Sequence, residues 1–247
     1  MIVYKSPKEI EKIRAAGAIV SKTLKLLFEN LRPGITTQKL DGIAEDYIRS
    51  QEAVPSFKGY NGFPGSICVS IDDEVVHGIP GPRKLKEGQI VGIDVGVYKD
   101  GYHGDSAWTF TVGEIDDELK KLMMIGEECL RKSIKEVKVG NRLGDIGHAI
   151  QTHAEKHGYS VVRDLVGHGI GKELHEEPQV PHYGNARAGL ELKPGLVIAI
   201  EPMINAGVFQ VKMLDDNWTI VTADGKRSVH FEHTIAVTEN GPMILTK

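Results

Sequence analysis

The sequence predicts an α/β chain of the α+β kind, a single domain over residues 1–247 made of two related halves, roughly 6–112 and 113–241. Three observations lead there. Each half opens with two stretches of helical apolar spacing and continues in short, strand-like apolar runs. The run Leu85-Lys86-Glu87-Gly88-Gln89-Ile90-Val91-Gly92-Ile93-Asp94 is echoed by Leu192-Lys193-Pro194-Gly195-Leu196-Val197-Ile198-Ala199-Ile200-Glu201, and both end in a carboxylate. At the same separation Asn61-Gly62 lies opposite His168-Gly169, and Gly34 falls beside the position matching Gly140. No Ser/Pro-rich or low-complexity stretch divides the chain, so the halves are expected to form one unit.

Each element has its own signal. Ser6-Pro7-Lys8-Glu9 combines an N-cap, a proline at the first helical position and a capping-box glutamate, ahead of Ile10, Ile13, Val20, Leu24, Leu27 and Phe28. That helix should stop near Arg32-Pro33-Gly34, and a second should start at Thr36-Thr37 with Leu40, Ile43, Ala44, Tyr47 and Ile48 on one face. Strands are expected at 66–71 and 75–77, then at 89–98 and 102–112 on either side of Lys99-Asp100-Gly101, where Asp-Gly is a strong hairpin signal. In the second half Asp116 opens a helix bearing Leu119, Leu122, Ile125, Cys129 and Leu130, and another runs from about Arg142 to His157-Gly158. Strands follow towards the C-terminus.

Composition removes several functional classes. With 30 Lys+Arg against 34 Asp+Glu the net charge is −4, which argues against a nucleic-acid-binding role. Hydrophobic residues at 40% and charged residues at 26% fit a soluble globular domain. Runs such as Leu196–Ile200 are too short to cross a bilayer, and Met1–Lys5 has no apolar signal-peptide core, so a cytoplasmic protein with no membrane association is expected. Cys68 and Cys129 make no disulfide framework and are expected to be free, buried thiols.

The acids carry the chemistry. Asp94 lies inside an apolar strand, where a lone ionised carboxylate is costly to bury. A two-residue hairpin loop at Asp100-Gly101 would set Gly96 opposite Asp105 and Asp94 opposite Ala107, so that Asp94 and Asp105 sit diagonally on one face. Diagonal neighbours are about 7 Å apart or less, close enough to hold two cations roughly 3.5–4 Å apart. Glu201 ends its apolar run and Glu232 precedes the strand His233-Thr234-Ile235-Ala236-Val237, a matching pair from the second half. Four converging carboxylates would raise one another's pKa values, whereas two divalent ions neutralise all four. His168, in Val166-Gly167-His168-Gly169-Ile170-Gly171, adds a nitrogen donor, and an oxygen-rich set with one imidazole suits Mn, Fe, Co or Zn. Gly167-His168-Gly169-Ile170-Gly171-Lys172 has the wrong spacing for a phosphate loop, and no G-x-S-x-G nucleophile motif is present. Metal-assisted hydrolysis is the chemistry that remains.

These residues resemble the type I methionine aminopeptidases over essentially the whole chain. The motifs are Val76-His77-Gly78-Ile79-Pro80, Ile93-Asp94-Val95-Gly96, His103-Gly104-Asp105, Gly167-His168-Gly169-Ile170-Gly171, His175-Glu176-Glu177-Pro178, Ala199-Ile200-Glu201-Pro202 and Phe231-Glu232-His233-Thr234. The resemblance implies a pita-bread fold, a central curved antiparallel sheet covered by helices. It implies two divalent metal ions per chain (Co, Mn, Fe or Zn) on Asp94, Asp105, His168, Glu201 and Glu232. The implied reaction is removal of the initiator methionine from new polypeptides whose second residue is small, by attack of metal-activated water on the first peptide bond. Glu201 is implied as general base, and His77 and His175 as groups that contact substrate at the scissile amide.

By the same resemblance Tyr60, Phe63, Cys68, Leu174 and Trp218 line the methionine pocket. Phe63 stands where Tyr is frequent, Leu174 where Phe is, and Asn61 where His is; the first two changes keep the pocket apolar. His103, His148, His153, His157, His182 and His230 are expected to be structural, as is His233 beside Glu232. The expected partner is the N-terminus of a Met-initiated peptide or nascent protein, met in transient proximity to the ribosome by a monomeric enzyme. Two alternatives are a prolidase or aminopeptidase P-like Xaa-Pro peptidase with the same five ligands, whose relatives usually carry a further N-terminal domain, and a non-catalytic binding protein on the same fold, whose relatives tend to lose ligands.

Overall fold

The computed structural model describes residues 1–247. Helix α1 (Pro7–Asn30) starts where the capping box puts it: the Ser6 N–H donates to Glu9 Oε2 at 2.9 Å and the Glu9 N–H returns to Ser6 Oγ at 3.4 Å. Its buried stripe is Ile10, Ile13, Ala16, Val20, Leu24 and Leu27. Helix α2 (Thr37–Ser50) is capped by Thr36, whose Oγ1 accepts from the Lys39 N–H. Strands β1 (Val54–Pro55), β2 (Cys68–Ile71), β3 (Glu74–Val76), β4 (Gln89–Lys99) and β5 (Tyr102–Val112) complete the first half.

The β4–β5 hairpin has the anticipated register with no bulge, Gly96 opposite Asp105 and Asp94 opposite Ala107. Both turn residues, Asp100 and Gly101, have φ > 0, the backbone that matches a tight hairpin to strand twist. Strand β4 also pairs with β1 and β2, giving a four-stranded antiparallel sheet.

Helices α3 (Asp117–Lys135) and α4 (Leu143–Lys156) open the second half, α3 capped by Asp116 on the Leu119 N–H at 2.8 Å. The strands are β6 (Ser160–Val161), β7 (Gly167–Gly169), β8 (Glu176–Val180), β9 (Val197–Ile200), β10 (Met203–Asn205), β11 (Val211–Met213), β12 (Ile220–Thr222), β13 (Ser228–His230), β14 (His233–Thr238) and β15 (Gly241–Ile244). A five-stranded sheet has the order β15-β14-β9-β7-β8. The first-half strands run straight through Asp94 and Asp105, but β9 stops before Glu201 and β14 starts after Glu232. Pro202 has no N–H to continue a ladder beyond Glu201. The excursion between them returns to the first half, because β12 pairs with β3.

A seam of hydroxyls joins β5 to the chain around β14. The Asp105 N–H donates to Thr234 Oγ1, whose own O–H returns to the Asp105 carbonyl at 2.7 Å. Ser106 Oγ donates to the Glu232 carbonyl, Thr109 Oγ1 to the His230 carbonyl, and the Glu232 N–H to the Ala107 carbonyl at 2.8 Å. The apolar interior is divided accordingly. One cluster lies under α1 and α2 with the β4 residues Val91, Ile93, Val95 and Val97, and another under α3 and α4 with Ile198, Ile200 and Ile235, while Trp108 touches both.

Helix α1 crosses β5 at two glycines. A Cβ on Gly104 would come within 2.7 Å of the Gly17 nitrogen, and a Cβ on Gly17 within 2.2 Å of the Leu245 carbonyl oxygen. Gly17→Ala is therefore expected to destabilise the protein by about 1–3 kcal/mol, the usual range for overpacking. Gly42→Ala in α2, where a Cβ meets nothing within 4 Å, should instead stabilise by up to about 1 kcal/mol through helix propensity. Urea denaturation of both metal-loaded variants tests the contrast, and equal shifts of one sign would refute it. No helix is long and apolar enough to cross a membrane.

Candidate metal centre and substrate cavity

The seam brings acids of both halves together. Ligand atoms of Asp105, His168 and Glu232 lie within 4.8 Å of one another, and Asp94 and Glu201 flank them. Asp105 and Glu232 are buried. The ring of His168 is fixed by its Nδ1–H, which donates to the Gly169 carbonyl at 2.9 Å. Its Nε2 therefore presents a lone pair, 3.6 Å from Glu201 Oε1. Two acceptors face each other there, an arrangement that calls for a cation or a proton between them.

The same holds among the carboxylates. Asp94 Oδ1, Asp105 Oδ1 and Glu232 Oε1 are buried and have no hydrogen-bond donor. Burial raises every carboxyl of the group, and repulsion by neighbouring acids adds to it for Asp94, Asp105 and Glu232: Asp94 is pushed up to about 6, Glu201 by burial to about 8, and Asp105 and Glu232 well above the ordinary range. His168 is driven down to about 3, by burial first and then by the neighbouring His175, so its imidazole is neutral. Orphaned anionic oxygens and a neutral imidazole are a donor set that fits divalent cations.

Two histidines expected to be merely structural also stand against Glu201. The Glu201 N–H donates to His182 Nε2 at 3.3 Å, and His230 Nε2, itself without a partner, lies 3.7 Å from Glu201 Oε2. Neither carries a sequence signal of its place: β13 ends at His230 and β14 starts at His233, so strand alternation does not run on to Glu232, and His182 follows the end of β8. The remaining imidazoles are tied up locally. His103 is held by Ser56 Oγ at 2.8 Å, His153 by Glu128, His157 by the His153 carbonyl, His148 by the Gly184 carbonyl at 3.3 Å, and His233 by Thr246 Oγ1 at 2.9 Å.

A cavity of about 360 Å³ opens onto the acids, with Tyr60, Phe63, Leu174 and Trp218 among its walls and His77 and His175 at its edge. Phe63 and Trp218 meet edge to face at 5.0 Å. Trp218 is held by an Asp-centred turn in which Asp216 Oδ1 accepts from the Trp218 and Thr219 N–H groups. The loop carrying Tyr60 and Phe63 is anchored to α2, where Asp41 Oδ1 accepts from the Ser66 and Ile67 N–H groups and Glu45 pairs with Lys58.

Cys68 departs from expectation. It is not among the residues lining the cavity, although its pairing on β2 directly opposite Asp94 puts it on the same face; it packs against Phe57, Phe63 and Leu174, whose larger side chains form the wall in front of it. Phe57, unforeseen, lines the cavity instead. Burial raises the Cys68 thiol well above its ordinary value, so it serves as apolar packing. Cys129 is likewise free and buried.

A second cavity of about 460 Å³ adjoins the first, walled by Val76, Leu165, Val166 and Met203 with Glu176, Glu177 and Gln179 at its rim. The two share His77, His168, His175 and Glu201, which form the waist between them. His77 holds a left-handed backbone at φ 61°, and Gly78 beneath it accommodates a contact in which a Cβ would lie 2.2 Å from the Val69 oxygen. Burial, then His230 and His175, depress the His77 imidazole to about 4.

Acids that resist ionising together, an imidazole lone pair aimed at them and an antiparallel sheet under helices are the working parts of a metallohydrolase. The chain belongs to metallopeptidase family M24, whose model matches residues 11–239, and it has the pita-bread fold of that family. It is 58% identical over 247 residues to methionine aminopeptidase 1 of Bacillus subtilis (strain 168), with 100% of each chain covered. The crystal structure of methionine aminopeptidase from Rickettsia prowazekii superposes with a TM-score of 0.99 at 44% identity, and that from Thermotoga maritima with 0.98 at 46%, each with 100% of both chains covered.

Proposed function

We propose that this chain removes the initiator methionine from polypeptides whose second residue is small. The observation that carries the reading is the cavity of about 360 Å³ that ends on the buried acids and has Phe57, Tyr60, Phe63, Leu174 and Trp218 in its wall: that apolar part suits one unbranched thioether side chain. A peptide lying across the waist would have its first side chain in that cavity and its following residues in the second, which puts the first peptide bond beside Glu201, His77 and His175.

Asp94, Asp105, His168, Glu201 and Glu232 would hold two divalent ions, with Co, Mn, Fe and Zn the metals suited to the donor set. Bound there, the ions would supply Lewis acidity to the scissile carbonyl and to the attacking water. Glu201 takes the water proton and hands it to the leaving amine. Its carboxyl, pushed up to about 8 by burial without cations, would be lowered by bound cations, so that it is ionised and able to accept a proton at neutral pH. His77, depressed by burial to about 4, and His175, an exposed residue whose ring is lowered by partial desolvation, are neutral and offer N–H donors to the oxygen that gains charge. The enzyme acts in the cytoplasm as a monomer, in transient proximity to the ribosome, on Met-initiated nascent chains.

Product analysis by mass spectrometry tests the reading. Protein stripped with chelator and reloaded with Mn, Fe, Co or Zn should release methionine from Met-Ala-Ser and leave Ala-Pro-Ala intact. Cleavage before proline would move the chain to an Xaa-Pro peptidase, and two intact peptides beside metal-loaded protein would favour a binding role.

A further inference from the structure

We propose that Tyr60 is a positioning residue for the peptide-bond chemistry: its hydroxyl sets the tautomer and the direction of the His175 ring, so that Nε2 carries the proton offered to the substrate. This rests on the aminopeptidase reading and adds to it a role for a residue otherwise only a wall of the methionine cavity.

The Tyr60 hydroxyl is 2.7 Å from His175 Nδ1, with the two rings 5.2 Å apart and tilted by 49°. His175 is exposed, and its other ring neighbour is His168 at 4.3 Å, edge on. His168 contributes no hydrogen bond to His175, because its Nδ1–H is spent on the Gly169 carbonyl and its Nε2 lone pair faces Glu201. Tyr60 is thus the side-chain hydrogen-bond partner that holds the imidazole.

The direction of that bond follows from acidity. A phenol is a far better proton donor than a neutral imidazole N–H, so the Tyr60 O–H donates and Nδ1 accepts. With Nδ1 occupied as an acceptor, the neutral ring must carry its proton on Nε2. A donor at that atom is what a developing oxyanion requires, whereas a lone pair would add one more acceptor to a site already rich in them.

The backbone below is fixed separately. Lys5 Nζ pairs with Glu176 Oε2 at 2.5 Å, and Glu176 Oε1 accepts from the Glu173 N–H. The main chain at His175 is therefore clamped from one side and the ring from the other.

Tyr60→Phe removes the hydroxyl and keeps the aromatic wall. In metal-loaded enzyme acting on Met-Ala-Ser, kcat should fall by about tenfold or more, less than the roughly 10²–10³-fold typical for loss of an oxyanion donor itself, while KM stays within about twofold. In a His175→Ala background the same change should have no further effect on kcat. Nitrogen-15 NMR of metal-free protein provides a readout independent of turnover. His175 should appear as the Nε2–H tautomer, and Tyr60→Phe should give a mixture. An unchanged kcat, a loss that persists in the His175→Ala background, or a His175 ring protonated on Nδ1 in the parent protein would overturn the proposal. A parent enzyme that releases no methionine would instead overturn the aminopeptidase reading, and the NMR result would still decide the tautomer.

Discussion

Glu201→Gln is expected to lower kcat on a Met-Ala-Ser peptide by on the order of 10²–10⁴-fold, the range that a positioned acid–base group supplies. Glutamine has the same shape, so the pinning of its backbone N–H by His182 and the packing around it should survive. What it lacks is an oxygen able to take a proton, and it removes one anion from the donor set. The carboxyl it replaces is mostly protonated at neutral pH in the metal-free protein, its value pushed up to about 8 by burial. The metal-free variant should therefore unfold no more easily than its parent at pH 7. Steady-state kinetics with metal content measured on the same samples would check this. A kcat within tenfold of the parent in fully loaded protein would exclude Glu201 as the base.

The largest effect on stability is expected from removing metal at alkaline pH. Asp94, Asp105, Glu201 and Glu232 all have folded pKa values above their ordinary ones. Their contribution is complete below the unfolded values near 4 and is lost as pH rises through the folded values, about 6 for Asp94 and about 8 for Glu201. Buried imidazoles work in the opposite sense below pH 6.5, because His77, His103, His168 and His182 are depressed to about 3–4 and lose stability only as they are forced to protonate. From about a pH unit above 6.5 those rings are neutral in both states, and the groups that ionise more readily in the unfolded chain are the four carboxyls and, towards pH 9, the buried thiols of Cys68 and Cys129, which burial also raises. Stripped protein should thus lose thermal stability steadily from pH 7 to 9, by about 1.4 kcal/mol per pH unit for each carboxyl that is protonated only when folded. With divalent metal bound the four ionise and their share of the slope should vanish, leaving the smaller share of the thiols that both forms have, so the gap between loaded and stripped melting temperatures widens with pH. Parallel melting curves at every pH would refute the cluster as the metal site.

Much of this architecture is legible in local chemistry. Ser6 and Glu9 mark the start of α1, and Asp100-Gly101 sets a register that places Asp94 and Asp105 on one face. Those signals involve residues a few positions apart, where backbone geometry leaves few choices. The opposing set is less legible because nothing local links Glu232 to Asp105. The link is made by Ser106, Thr109 and Thr234, whose hydroxyls bond main chain more than a hundred residues away. A buried serine or threonine in an apolar strand looks like any other β-former until its partner is seen. His230 and His182 are illegible for a related reason: a histidine's role depends on what its ring faces, and both face Glu201. Cys68 is illegible in the reverse direction, since lining a cavity and packing against the residues that line it leave the same apolar pattern in sequence.

The seam between the halves also bears on how the protein folds. Its hydrogen bonds span 121 to 129 residues of chain, Thr109 to His230 and Asp105 to Thr234 among them. Closing loops of that length comes late, after the local hairpin and helix pairs have formed. A growing chain carries Asp94 and Asp105 long before Glu201 and Glu232 have been synthesised, so the complete set of acids exists only once nearly the whole domain has been made. Partly built chains would therefore present no finished cleavage site, and proteolytic competence arises together with the native topology.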